Sequence, residues 1–204
     1  MVVRNLEQLI PFLPQTAFIY IKNLLQQYDV RLSIVKKRVG KLGDYRAPFR
    51  ANKYHKITIN EDLNEYSFLI TLIHEIAHMV TFVNYGRNVK SHGEEWKRTY
   101  ASMLIPLIGQ SVFPIELEEV LSNHFINPSA SSCRDVNLSK ALKKYDKIID
   151  DKVYLESLEE NRLFSIHNGR TFKKGKVVRK RIKCQDVHNN RLYLFSPIAE
   201  VKPM

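Results

Sequence analysis

The chain has 204 residues, 44% hydrophobic and 26% charged, the balance of a globular protein long enough to bury a core unaided. Its two cysteines, Cys133 and Cys184, exclude a disulfide scaffold and a four-thiolate zinc ribbon, and no apolar run reaches eighteen residues, so no transmembrane helix is expected. A net charge of +11, from 32 basic and 21 acidic residues, makes a polyanion partner plausible on electrostatic grounds.

Residues 1–10 lack the basic region, apolar stretch and small-residue cleavage site of a secretory signal, so a cytoplasmic location is expected. After Pro14, residues 15–28 read as a helix, with Ala17, Ile21, Leu24, Leu25 and Tyr28 at helical spacing. Residues 30–39 and 41–47 read as two strands that turn near Gly40–Gly43, and residues 57–60 as a third, short strand. A long helix is predicted from about Asp62 to Tyr85, with Gly86 placed to end it. After a polar loop, a helix runs from about Glu94 and breaks at Pro106, and residues 114–124 form another.

The composition then changes. Asn127-Pro128-Ser129-Ala130-Ser131-Ser132 reads as a linker and 136–149 as a connecting helix. From about Val153 the pattern is strand-like, with Asn168-Gly169 signalling a type I′ hairpin and Lys174-Gly175 and Asn189-Asn190 further turns. The expected organisation is a domain at 1–126, a linker with connecting helix at 127–152, and a small antiparallel β-rich module at 153–204.

One stretch carries chemistry. His74-Glu75-Ile76-Ala77-His78 is H-E-x-x-H inside the long apolar helix. Residues four apart lie about 40° apart around a helix, so two imidazoles can reach one cation from the same face. The intervening carboxylate then sits beside the metal without ligating it and can deprotonate a water. Asn64, Ser67, Thr71, His74, His78 and Thr81 form the helix's single polar stripe, expected to be its one wet face. Thr81 and Asn84 stand where a metzincin would carry Gly and a third His, which excludes that class. The third ligand is sought among His92, Glu94 and Glu95. Trp96 reads as core, and Tyr45, Tyr85 and Tyr100 as candidate transition-state donors. His55, His124, His167 and His188 read as surface or satisfied structural residues.

H-E-I-A-H at 74–78 followed by S-H-G-E-E-W at 91–96 resembles the SprT-like metallopeptidase family, as do Leu42-Gly43-Asp44-Tyr45-Arg46 and Ile57-Thr58-Ile59-Asn60. The likeness spans roughly residues 15–125. It implies an α+β, zincin-like fold, one zinc ion held by His74, His78 and His92, and Glu75 as the catalytic carboxylate of a zinc metalloendopeptidase. Characterised eukaryotic members cleave proteins attached to DNA, which extends the expected substrates to DNA-associated proteins. The chain departs from the cysteine zinc ribbon many relatives carry, since its tail holds only Cys184.

The tail has its own pattern. Residues 170–191 hold nine Lys/Arg against one acid, Asp186. Read as one strand, residues 177–184 put Arg179, Arg181 and Lys183 on a single face, a cationic row suited to a phosphate backbone, with Lys173 and Lys174 beside it. Phe172, Tyr193 and Phe195 could add stacking, with core packing as their first use. No base-reading motif accompanies them. The leading expectation is therefore a zinc protease acting on a protein substrate, with nucleic acid bound by the tail. The alternatives are a nucleic-acid-binding or transcription-associated protein whose zinc is structural or idle, and a hydrolase of a non-protein amide.

Overall fold

The computed structural model describes residues 1–38, 40–50, 53–126, 135–146 and 151–204, with backbone alone for 124–126. The expected linker at 127–132, Cys133, the last residues of the expected connecting helix, 147–149, and the His124 side chain lie outside the described residues. The chain divides into two compact units, Met1–Asp146 and Lys147–Met204.

In the first unit, short 3-10 turns at Leu6–Phe12 and Gln15–Ala17 lead into α1 (Phe18–Gln26), followed by β1 (Val30–Val35), β2 (Gly43–Arg46) and β3 (His55–Asn60). The expected β1–β2 hairpin does not form. The sheet order is β1-β3-β2, with β1 parallel and β2 antiparallel to β3, so the sheet is mixed rather than antiparallel. Burial explains the order. Ile57 and Ile59 of β3 are fully buried, whereas no residue of β2 is, so the more apolar strand takes the centre and β2 the edge.

The long helix α2 (Glu65–Tyr85) starts at Asn64, whose side chain caps Ser67 N, and stops at Gly86, whose φ of +70° favours a residue without Cβ. It is long and apolar enough to cross a membrane by length and composition, yet it lies buried within this unit. Helices α3 (Glu94–Leu104), α4 (Ile115–Ile126) and α5 (Val136–Lys143) follow. The polar stripe of α2 is not a wet face: Ser67, Thr71, His74 and Thr81 are all buried. Nor is α5 a free connector. Leu138 and Leu142 join the core, and Asn64 Nδ2 donates to Leu142 O at 2.9 Å and to Asp146 at 2.7 Å. The first unit therefore extends twenty residues beyond the expected boundary at 126.

The second unit is a six-stranded antiparallel sheet in the order β4-β9-β5-β6-β7-β8, built from β4 (Val153–Tyr154), β5 (Leu163–Ser165), β6 (Thr171–Val178), β7 (Arg181–Asp186), β8 (Leu192–Phe195) and β9 (Glu200–Pro203). Leu155, Phe164, Phe172, Ile182, Cys184 and Val201 form its core, so Cys184 is a buried small hydrophobe. Three local expectations change. At Asn168-Gly169 only the glycine has positive φ, and Gly169 N donates to Ile166 O, so the turn is not type I′. The ladder shifts register between Lys174 and Val177, placing an irregularity inside β6 where a turn was expected. The turn lies instead at Arg179-Lys180, so residues 177–184 are a hairpin and not one strand.

Candidate metal centre

The helix spacing brings His74 and His78 onto one face of α2, and the chain returns His92 to them just before α3. His92 itself has φ +59°, a left-handed conformation uncommon for a residue with a side chain. Gly93 follows as the N-cap of α3, its N–H donating to Lys90 O at 2.9 Å. The Nε2 atoms of His74, His78 and His92 converge, at 3.1 Å (74–78), 2.9 Å (78–92) and 3.2 Å (74–92). Glu94 is exposed and paired with Lys97 at 3.0 Å, and neither Glu94 nor Glu95 joins the cluster.

These atoms fit a metal better than they fit one another. Each imidazole nitrogen is either an N–H or a lone pair. Three such nitrogens facing each other cannot all be complementary: whatever the tautomers, at least one pair sets donor against donor or lone pair against lone pair. A cation accepting three lone pairs removes that conflict. A tetrahedral ion with bonds of about 2.0–2.1 Å spaces its ligand atoms by about 3.3 Å, close to the observed triangle. Burial, and secondarily His92, lowers the His78 pKa to about 4, which keeps that ring neutral and able to ligate at pH 7. His74, His78 and His92 could thus hold one metal ion.

Trp96 supports all three rings. It is fully buried, its ring centroid lies 4.7, 5.3 and 4.6 Å from those of His74, His78 and His92, and it stacks on Tyr100 at 4.9 Å. H-G-x-x-W spacing locates this residue in the sequence; that it backs the whole triad is visible only in three dimensions.

Glu75 is 7% exposed and lies against β2, where the Tyr45 N–H acts on its carboxylate. Burial raises its carboxyl to about 8, and Asp44 adds to the rise; Arg38, the Tyr45 N–H and Lys41 oppose it. Arg38 is held by Asn60 Oδ1 at 2.8 Å and Thr58 Oγ1 at 2.9 Å. Asp44 is itself paired with Lys41 and Arg46, each at 2.9 Å. Neither Asp44 nor Arg38 stands out in the sequence as part of the site.

A cleft of about 310 Å³ opens beside His78, lined among others by Tyr45, Phe82, Arg87, Lys90 and Trp96. Of the three candidate tyrosines only Tyr45 borders it, with its hydroxyl paired to His55 Nδ1 at 2.8 Å. Tyr100 is buried against Trp96, and Tyr85 is exposed on the last turn of α2. His55 is thus a structural partner of Tyr45 within the first unit.

The expected nucleic-acid residues separate. Arg181 and Lys183 are exposed and alternate with buried Ile182 and Cys184 on β7, and Lys173 is exposed on β6. Arg179 sits in the hairpin turn with φ +55°. Lys174 is not available: it is buried, and its ammonium donates to the carbonyls of Glu156 and Leu158. The strand alternation that exposes Lys173 turns Lys174 inward. Phe172, Tyr193 and Phe195 pack on one another, Phe172 and Phe195 with centroids 4.9 Å apart, so these rings serve the core.

Residues 13–107 match the family model described as the SprT-like family, which marks this segment as a metallopeptidase-like domain and contains the whole His74–His78–His92 cluster. No curated protein and no solved structure matches the chain.

Proposed function

We propose, from a SprT-like segment at residues 13–107, that the first unit is a zinc-dependent metalloendopeptidase in which His74, His78 and His92 hold the ion and Glu75 is the proton carrier. The observation that carries this reading is the convergence of three Nε2 atoms beside a carboxylate that belongs to the same helix but not to the cluster. An ion held by His74, His78 and His92 would polarise a carbonyl and lower the pKa of a water towards about 7. Glu75 takes the water's proton and delivers it to the leaving amide nitrogen. Burial raises this carboxyl, and a cation held by the three histidines beside it would lower it again.

A peptide substrate is supported by the sheet edge. The expected acceptor, the strand at 57–60, is flanked on both sides, and residues 1–3 pair with the outer side of β1, so among the described strands of this sheet β2 has the open edge. Leu42 O accepts from Asn60 N, and backbone groups alternate direction along a strand, so Gly43 and Tyr45 turn theirs to the outer edge, where Tyr45 N–H meets Glu75. An extended peptide adding to that edge lies next to the carboxylate.

The finer substrate class is DNA-associated protein. Its support is the second unit, where Lys173, Lys176, Arg179, Lys180, Arg181 and Lys183 are all exposed along one β-hairpin. This hairpin suits sequence-independent phosphate binding. The test is metal analysis with a cleavage assay on a basic DNA-binding protein, with and without DNA. Wild type should carry one zinc and cleave, and Glu75→Gln should keep zinc and lose most of the cleavage. A chain that binds DNA and metal but never cleaves supports the idle-zinc alternative instead.

A further inference from the structure

The backbone of β2 touches Glu75 directly at a residue the chemistry does not need. A Cβ built on Gly43 would lie 2.6 Å from Glu75 Oε1, 2.8 Å from Glu75 Cγ and 2.8 Å from Thr71 Cγ2. The carboxylate end of Glu75 can swing aside, but its Cγ sits near the helix backbone and the Thr71 methyl is on a short, stiff side chain. Gly43 φ lies outside the left-handed region, so the strand could accommodate an L side chain there by backbone conformation alone. What requires glycine is the close approach of β2 to α2. Two residues on, Tyr45 N–H reaches the same carboxylate.

We infer that Gly43 is a positioning residue: the missing side chain lets β2 lie against Glu75, so that one face of the carboxylate is held by the strand and the other is left for the reaction. This deepens the peptidase reading and rests on it. The side chain of Glu75 lies where a Cβ on Gly43 would be, and the Tyr45 N–H of the same strand acts on its carboxylate, so β2 bears on that group at two places. It also explains why a short edge strand with no fully buried residue is held so close to α2.

The experiment is Gly43→Ala, alone and combined with Glu75→Gln and Glu75→Ala. Gly43→Ala should retain the zinc content of wild type, because the atoms that crowd residue 43 belong to Glu75 and Thr71 and not to a histidine, while kcat falls by about 10²-fold and KM changes by less than about three-fold. In the Glu75→Gln background the same substitution should cost little further, since the residue acts through Glu75. A second cycle reads stability of the metal-free protein: Gly43→Ala should lower the melting temperature in wild type, and less in Glu75→Ala, where space has been made. Unchanged kcat in Gly43→Ala, or equal losses with and without Glu75, would overturn the inference. If wild type proves inactive, the peptidase reading fails by itself, and equal melting losses in the second cycle would separately rule out the steric coupling.

Discussion

His92 Nε2 lies 2.9 Å from His78 Nε2 although fourteen residues separate them, as close as any pair in the cluster and closer than His74 is to His78 on the same helix. The loop after α2 therefore does as much to build the centre as the helix does. Its left-handed residue is His92 itself, so the backbone there is committed to aiming the ring.

His92→Ala should abolish tight metal binding while α2 stays folded. Removing a residue that only supports a ligand costs roughly 10–100-fold in affinity, and removal of a ligand should exceed that. Competition with a chromogenic chelator measures it. Wild-type affinity in this variant would remove residue 92 from the centre.

Glu75→Gln keeps size and a hydrogen-bond acceptor but cannot carry the proton. Its kcat should fall by about 10²–10⁴-fold, with bound zinc unchanged. Steady-state kinetics on one peptide, with metal content measured on the same sample, decides between a proton carrier and a structural acid.

On the hairpin, Arg181→Ala with Lys183→Ala should weaken DNA binding across all sequences and lower the slope of log K against log salt by about two, one for each phosphate that is no longer neutralised. Lys174→Met should behave differently. It removes the donor to Glu156 O and Leu158 O, so it should destabilise the fold by about 2 kcal/mol and leave the salt slope unchanged. Salt titrations and urea unfolding on the same variants separate the two roles.

The second unit should lose stability in acid through Asp186. The Arg170 guanidinium beside it, and then the His188 and Asn189 N–H groups, hold its carboxyl below the ordinary aspartate range. A depressed native pKa means that this contribution is fully present above the unfolded value of about 3.9 and disappears as pH falls through the folded one. Asp186→Asn should therefore melt below wild type at pH 7, and the gap should close below about pH 4. A constant gap across that range would show that charge is not the cause.

The H-E-x-x-H helix, its caps and its buried character follow from residues close together in the chain, because helical periodicity and capping are local rules. Gly86 ends α2 where those rules put it, whereas the helix begins at Glu65 behind an Asn64 cap and not at the expected Asp62. Histidine at 92 joins the others over a loop whose length permits the approach but does not impose it; the folded chain brings His92, and neither Glu94 nor Glu95, to the cluster, with its ring against Trp96. Strand order was not legible either. Residues 30–47 carry every short-range hairpin signal, yet the fully buried Ile57 and Ile59 claim the centre of the sheet and insert β3 between the two. The same limit applies to Lys174, whose inward direction depends on register, and to Gly43, whose lack of a side chain matters only because a helix thirty residues later passes beneath it. Local sequence decides what an element is and which residues share a face; which element covers that face is decided by competition for burial across the whole unit, and that competition is not written within any single stretch of chain.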